Sequence, residues 1–98
     1  MTVLIDTPVW PWRGRLWSHL VSDVSYAELH AFVAAELDIP RRAFQGDHYD
    51  VPEELYGRAV AAGAEPVACR ELLRRLLAAG LRVRKPRVPA APRGPAAG

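Results

Sequence analysis

The chain has 98 residues, half of them hydrophobic and 24% charged, with a formal net charge of +2. That length is one domain at most, with a small core, and it excludes a multidomain enzyme. The single cysteine, Cys69, excludes an internal disulfide and a multi-cysteine zinc site.

The opening Thr2–Ile5 is apolar and partly β-branched, and reads as a buried strand ended by Asp6. Residues 7–14 carry Pro8, Pro11 and Gly14 around Trp10 and Trp12, so a loop is expected there. Arg15–Val21 alternates loosely and reads as a second strand. Ser25 and Glu28 have capping-box spacing and open a helix. Tyr26, Leu29, Val33 and Leu37 form its buried stripe, and Pro40 stops it. Ala43–Tyr49 is expected as a third strand. Asp50 and Glu53 repeat the capping spacing, and Pro52 suits the first turn of a second helix that ends at Gly63. Glu54 and Arg58 are spaced to pair on its exposed side. Pro66–Ala68 reads as a short strand, and a third helix runs from Cys69 to Gly80 with Leu72, Leu73, Leu76 and Leu77.

The expected architecture is α/β: a small, largely parallel sheet of about four short strands covered by three helices, over residues 1–83. Residues 84–98 are Pro, Ala, Arg and Gly without periodicity and are expected to form a disordered basic tail. The tail also decides the charge. Residues 82–98 hold five basic residues and no acid, whereas residues 1–81 hold 8 arginines against 11 acids. Nucleic-acid binding, on this reading, is weak and carried by the tail. The N-terminus lacks the basic and apolar segments of a signal peptide, and no stretch approaches the roughly 18 apolar residues of a membrane span. The lone cysteine fits a reducing compartment, so the expected location is the cytoplasm, away from membranes. Self-association is left open.

In open parallel sheets ligands bind at the carboxyl ends of the strands, where helix N-termini also attract anions. Asp6, Asp23, His48, Asp50 and Arg70 fall at such positions. Asp6, His48 and Asp50 are the catalytic or metal candidates. His48 and Asp50 are two apart, so on an extended segment they share a face, which suits a divalent metal or a base oriented by a carboxylate. His19, Asp23 and Arg70 are the ligand-binding candidates. Plainer alternatives stand beside most of these: Asp6 as a turn residue, Asp23 and Asp50 as helix caps, His48 in a plain hydrogen bond to Asp50, and His19 and His30 as hydrogen-bonded structural residues. The Trp10–Trp12 loop, with Arg13 and Arg15 beside it, suits base stacking or a lid over a small core. Cys69 sits where a helix N-terminus would lower its pKa, but no base can be assigned to it.

The ordered set Val3-Leu4-Ile5-Asp6, Trp17-Ser18-His19-Leu20 with Asp23, Glu28-Leu29-His30, Arg41-Arg42, His48-Tyr49-Asp50-Val51 and Arg70-Glu71-Leu72 resembles a family of short bacterial and phage proteins, domain of unknown function 4031. The resemblance covers residues 1–82. It implies a stand-alone domain and brings no substrate or catalytic assignment.

Three functions follow as alternatives. The first is a binding module for a small anionic or phosphate-bearing ligand at the strand ends. The second is a divalent-metal-dependent hydrolase of the phosphoesterase or nuclease kind using Asp6, His48 and Asp50. The third is a protein-interaction module using the Trp10–Trp12 loop.

Overall fold

A computed structural model describes residues 2–83, and the expected tail lies outside the described residues. In chain order the elements are β1 (Val3–Ile5), β2 (Trp10–Trp12), β3 (Arg15–Ser22), α1 (Tyr26–Phe32), β4 (Tyr49–Pro52), α2 (Glu53–Ala61), β5 (Glu65–Pro66) and α3 (Cys69–Ala78). Helix α1 runs on into a wide π-helical turn, Val33–Leu37, and a 3₁₀ turn follows at Arg41–Ala43.

The five strands form one mixed sheet, not a largely parallel one. Strand β3 is its spine and pairs antiparallel with β1, β2 and β4, while only β1 and β5 run parallel. The two-residue link between β2 and β3 allows only antiparallel pairing, whereas β1 and β4 reach β3 through longer connections. The tight turn between β2 and β3 is made by Arg13 and Gly14, both at positive φ. Strands β2 and β1 pair with residues 15–17 and 20–22 of β3. Strand β4 pairs with residues 17–20, overlapping both, so it takes the opposite edge. The expected loop at residues 7–14 is thus partly a strand. Pro11 is tolerated because β2 lies at the edge, where a missing N–H breaks no ladder bond.

Alternation divides the sheet into two faces. Val3, Ile5, Leu20, Tyr49 and Val51 point to one face and pack with Leu29, Val33, Leu37 and Ala59 from the α1 and α2 layer as the main core. Leu4 and Val21 point to the other and form a smaller cluster with Leu72 and Leu76 of α3, against which Val67 and Leu81 pack. Helix α3 covers part of that second face. The rest carries Trp10, Trp12, Trp17, His19 and Asp50, by the pairings Trp10↔Trp17, Trp12↔Arg15 and His19↔Asp50.

Other expectations are corrected locally. Ser25 caps α1 by accepting the Glu28 N–H, but the Glu28 carboxylate takes the Ser22 hydroxyl instead of closing the box. The third strand begins at Tyr49, because residues 41–43 coil and the chain turns at Gln45–His48, where Gly46 has φ +91°. Asp50 lies in β4 and caps nothing, and Pro52 is the N-cap of α2. Glu54 pairs with Arg15 at 2.9 Å across the sheet, not with Arg58.

Candidate functional site

The uncovered half of the second face concentrates the titratable groups. Asp6 leaves β1 beside the middle of β3 and is 3% exposed. One carboxylate oxygen accepts the His19 backbone N–H at 2.6 Å, and the other accepts the ring Nδ1–H at 2.8 Å. Both oxygens are used, and the His19 ring is fixed with Nε2 as its free nitrogen.

A second pair repeats the arrangement. Asp47, also 3% exposed, accepts His48 Nδ1–H at 2.7 Å. Its other oxygen accepts the Val83 N–H at 2.8 Å and lies 3.5 Å from Arg82. The positive φ of Gly46 makes the turn that places Asp47 and His48 side by side ahead of β4. The two imidazoles then meet edge to face, with ring centres 5.3 Å apart.

Asp50 completes the group. His19, His48 and Asp50 each offer a ligand atom, and those atoms lie within 4.8 Å of one another. Asp50 Oδ1 is buried and has no hydrogen-bond partner other than His48 Nε2, 3.2 Å away, which can donate to it only when that ring is protonated. Since Asp47 holds the Nδ1 proton, a neutral His48 turns its Nε2 lone pair toward a carboxylate oxygen. Two lone pairs this close and shielded from water are stable only with a cation between or beside them, either a proton or a metal ion. Burial disfavours the charged form of His48, but the contacts and charges of Asp50 and Asp47 outweigh it and raise its pKa above the ordinary histidine value.

Cys69, the first residue of α3, forms a second group with Asp6 and His19 that could hold an ion. Both Asp6 oxygens already accept hydrogen bonds from His19, so this group is tied up within the fold. The expected lowering of the Cys69 pKa is reversed. Partial desolvation, then the charge and hydrogen bonding of Asp6, push the thiol of the exposed Cys69 up.

The cluster separates two cavities. One, of about 220 Å³, is lined by His19, His48, Cys69 and Arg82 against an apolar wall of Leu72 and Leu76. The other, of about 340 Å³, is lined by Asp50 and Pro52 with Trp12 and Trp17.

Of the sequence candidates, the structure brings Asp6, His19, His48 and Asp50 together. Asp23 lies at the far end of β3, where it accepts from Thr2 N–H and pairs with Arg75 at 2.8 Å. Arg70 is exposed and lines neither cavity. His30 is on the opposite face, bonded to the Tyr49 hydroxyl at 2.8 Å. Sequence reasoning missed Asp47 and Arg82. An acid directly before His48 was the available signal for Asp47, and nothing local signalled Arg82.

The family model described as Protein of unknown function (DUF4031) matches residues 3–79, which hold every cluster residue named above except Arg82. The chain belongs to this family. Neither the curated proteins nor the solved structures hold a significant match to it. No helix among the described residues is long and apolar enough to cross a membrane.

Proposed function

We propose that this DUF4031 chain is a divalent-metal-dependent hydrolase of the phosphoesterase class, with the ion held by His19 Nε2, His48 Nε2 and Asp50. The observation that carries the reading is the buried Asp50 Oδ1, which has no hydrogen-bond partner other than the His48 Nε2 that stands 3.2 Å away. Two ligands that each sit about 2.0–2.2 Å from one ion are themselves about 3.0–3.5 Å apart. The two imidazoles are oriented through Nδ1 by buried carboxylates, the support that metal-bound histidines ordinarily have. Asp6 and Asp47 are therefore positioning residues. Three protein ligands leave coordination positions for water and substrate, as in catalytic rather than structural sites.

The ion would lower the pKa of a bound water toward neutrality. In the reaction the water oxygen bonds to phosphorus, the ester P–O bond breaks, and the water proton ends on the leaving oxygen. Arg82, set at the rim of the first cavity by Asp47, is placed to pair with the phosphate oxygens. Arg82 also favours the alternative of an anion-binding module without turnover. A phosphodiester hydrolysis assay on the full chain, stripped by chelation and reloaded with Mn²⁺ or Zn²⁺, separates the two. The hydrolase reading expects metal-dependent turnover that Asp50→Asn abolishes while the fold persists. Phosphate binding without turnover under every metal would overturn it.

A further inference from the structure

The three tryptophans are the largest side chains on the uncovered sheet face, and none of them belongs to either hydrophobic cluster. Trp10 and Trp12 are 41% and 46% exposed, so they do not act as a lid over the core. They are also ordered with respect to the cluster. Trp12 and Trp10 are within 7° of parallel at 6.2 Å, and Trp10 and the His19 ring within 12° at 5.7 Å. The row of rings therefore ends on a proposed metal ligand. Trp17 donates its indole N–H to the Trp12 carbonyl at 2.8 Å, which stiffens the hairpin from beneath. The Arg13 guanidinium stands 4.7 Å from the centre of the Trp12 ring and has no carboxylate partner among the described residues. The larger cavity runs from Trp12 and Trp17 to Asp50.

We infer that the hairpin stacks the bases of a short single-stranded nucleic-acid segment and presents its phosphodiester to the His19–His48–Asp50 cluster. This assignment of substrate class rests on the hydrolase reading. Exposed parallel indoles with a free guanidinium are the chemistry that takes up bases without regard to sequence, by stacking and cation–π contact. A long electrostatic track is absent: residues 2–83 hold nine arginines against eleven acids. The footprint is accordingly a few nucleotides, and stacking outweighs phosphate contacts. This is a different route to nucleic acid from the basic tail that composition suggests.

The test is binding of a fluorescent oligothymidylate to the full chain in chelator, at physiological salt, against an abasic oligomer of equal length. Wild type should prefer the base-bearing strand. Trp10→Ala and Trp12→Ala should each weaken that binding about tenfold, with unchanged melting and no change toward the abasic strand. Trp10→Phe should restore most of it. His48→Gln and Asp50→Asn should remain folded and lose metal-dependent cleavage of the same strand. Equal affinity of wild type and both alanine variants, or no preference for bases, overturns the inference, including when an unrelated protein proves to dock on the hairpin. Tryptophan-dependent binding with no metal effect sustains the stacking and removes the hydrolase reading.

Discussion

Asp6, Asp47 and Asp50 are three buried or nearly buried carboxylates in different states of satisfaction, and that difference separates scaffold from site. Asp6 accepts two hydrogen bonds that join β1 to β3. Asp6→Asn is expected to cost about 1–3 kcal/mol, because the buried side chain keeps one acceptor oxygen and turns an amide NH₂ toward one of the two His19 N–H groups. It should also weaken metal binding about 10–100-fold by freeing the ring. Asp50 Oδ1 faces only the His48 ring, so at a pH where His48 is neutral Asp50→Asn should leave the chain folded and abolish metal binding. Paired melting curves with and without metal on the two variants check this. A large stability loss in Asp50→Asn would mark it as scaffold. His30 gives a residue-level test of the opposite face. Burial, then the Arg41 charge, hold its pKa below the ordinary value of 6.5. The unfolded chain thus takes up this proton first. The stability due to neutral His30 is present above about pH 6.5 and is lost as pH falls through the folded value. His30→Gln keeps a partner for the Tyr49 hydroxyl without titrating. Stability of wild type relative to this variant should fall between neutral and mildly acidic pH, and a flat difference would contradict the assignment.

Elements were legible where periodicity was local and lost where pairing was distant. The Leu29, Val33, Leu37 stripe and the Leu72, Leu76 pair are buried as their spacing indicates. Strand β2 was hidden by Pro11, since only the sheet topology shows that it lies at an edge. The same blindness affects the site. His48 and Asp50 were legible as a pair because two residues along a strand share a face. That His19 joins them depends on the register His19↔Asp50, which no local pattern encodes. The strand-end rule pointed to Asp23 because it assumes parallel strands, and an antiparallel β3 sends its carboxyl end to the far side; Arg70 does follow a strand parallel to β1, but its side chain is exposed and lines neither cavity. The segment after α3 lies within the expected domain, residues 1–83, but carries no periodicity that would show what it does. Tyr26 donates its hydroxyl to the Leu81 carbonyl, and Asp47 accepts the Val83 N–H, so residues 81–83 strap the site. Truncation after Val83 is expected to leave the melting temperature unchanged. Truncation after Gly80 should lower it by several degrees, because Asp47 loses both partners beyond His48. Equal melting of the two truncations would remove the strap from the account.

At the scale of the molecule, the arrangement is a sheet with one face sealed and the other half covered. Helices α1 and α2 close the first face over a continuous core. Helix α3 closes only the Leu4 and Val21 end of the second. A chain this short has little spare sequence for a second full layer. The open half is where two oriented imidazoles, an unsatisfied carboxylate and the indoles coincide. The central claim is that this coincidence is a metal site, and calorimetric titration of the chelator-stripped full chain with Zn²⁺ and Mn²⁺ addresses it most directly. The account predicts one ion per chain, with the melting temperature rising as ion is added in excess of its dissociation constant. It also predicts that both signals vanish in His48→Gln and in Asp50→Asn, which remain folded. Absence of binding by the wild-type chain, or binding that survives in both variants, would contradict it.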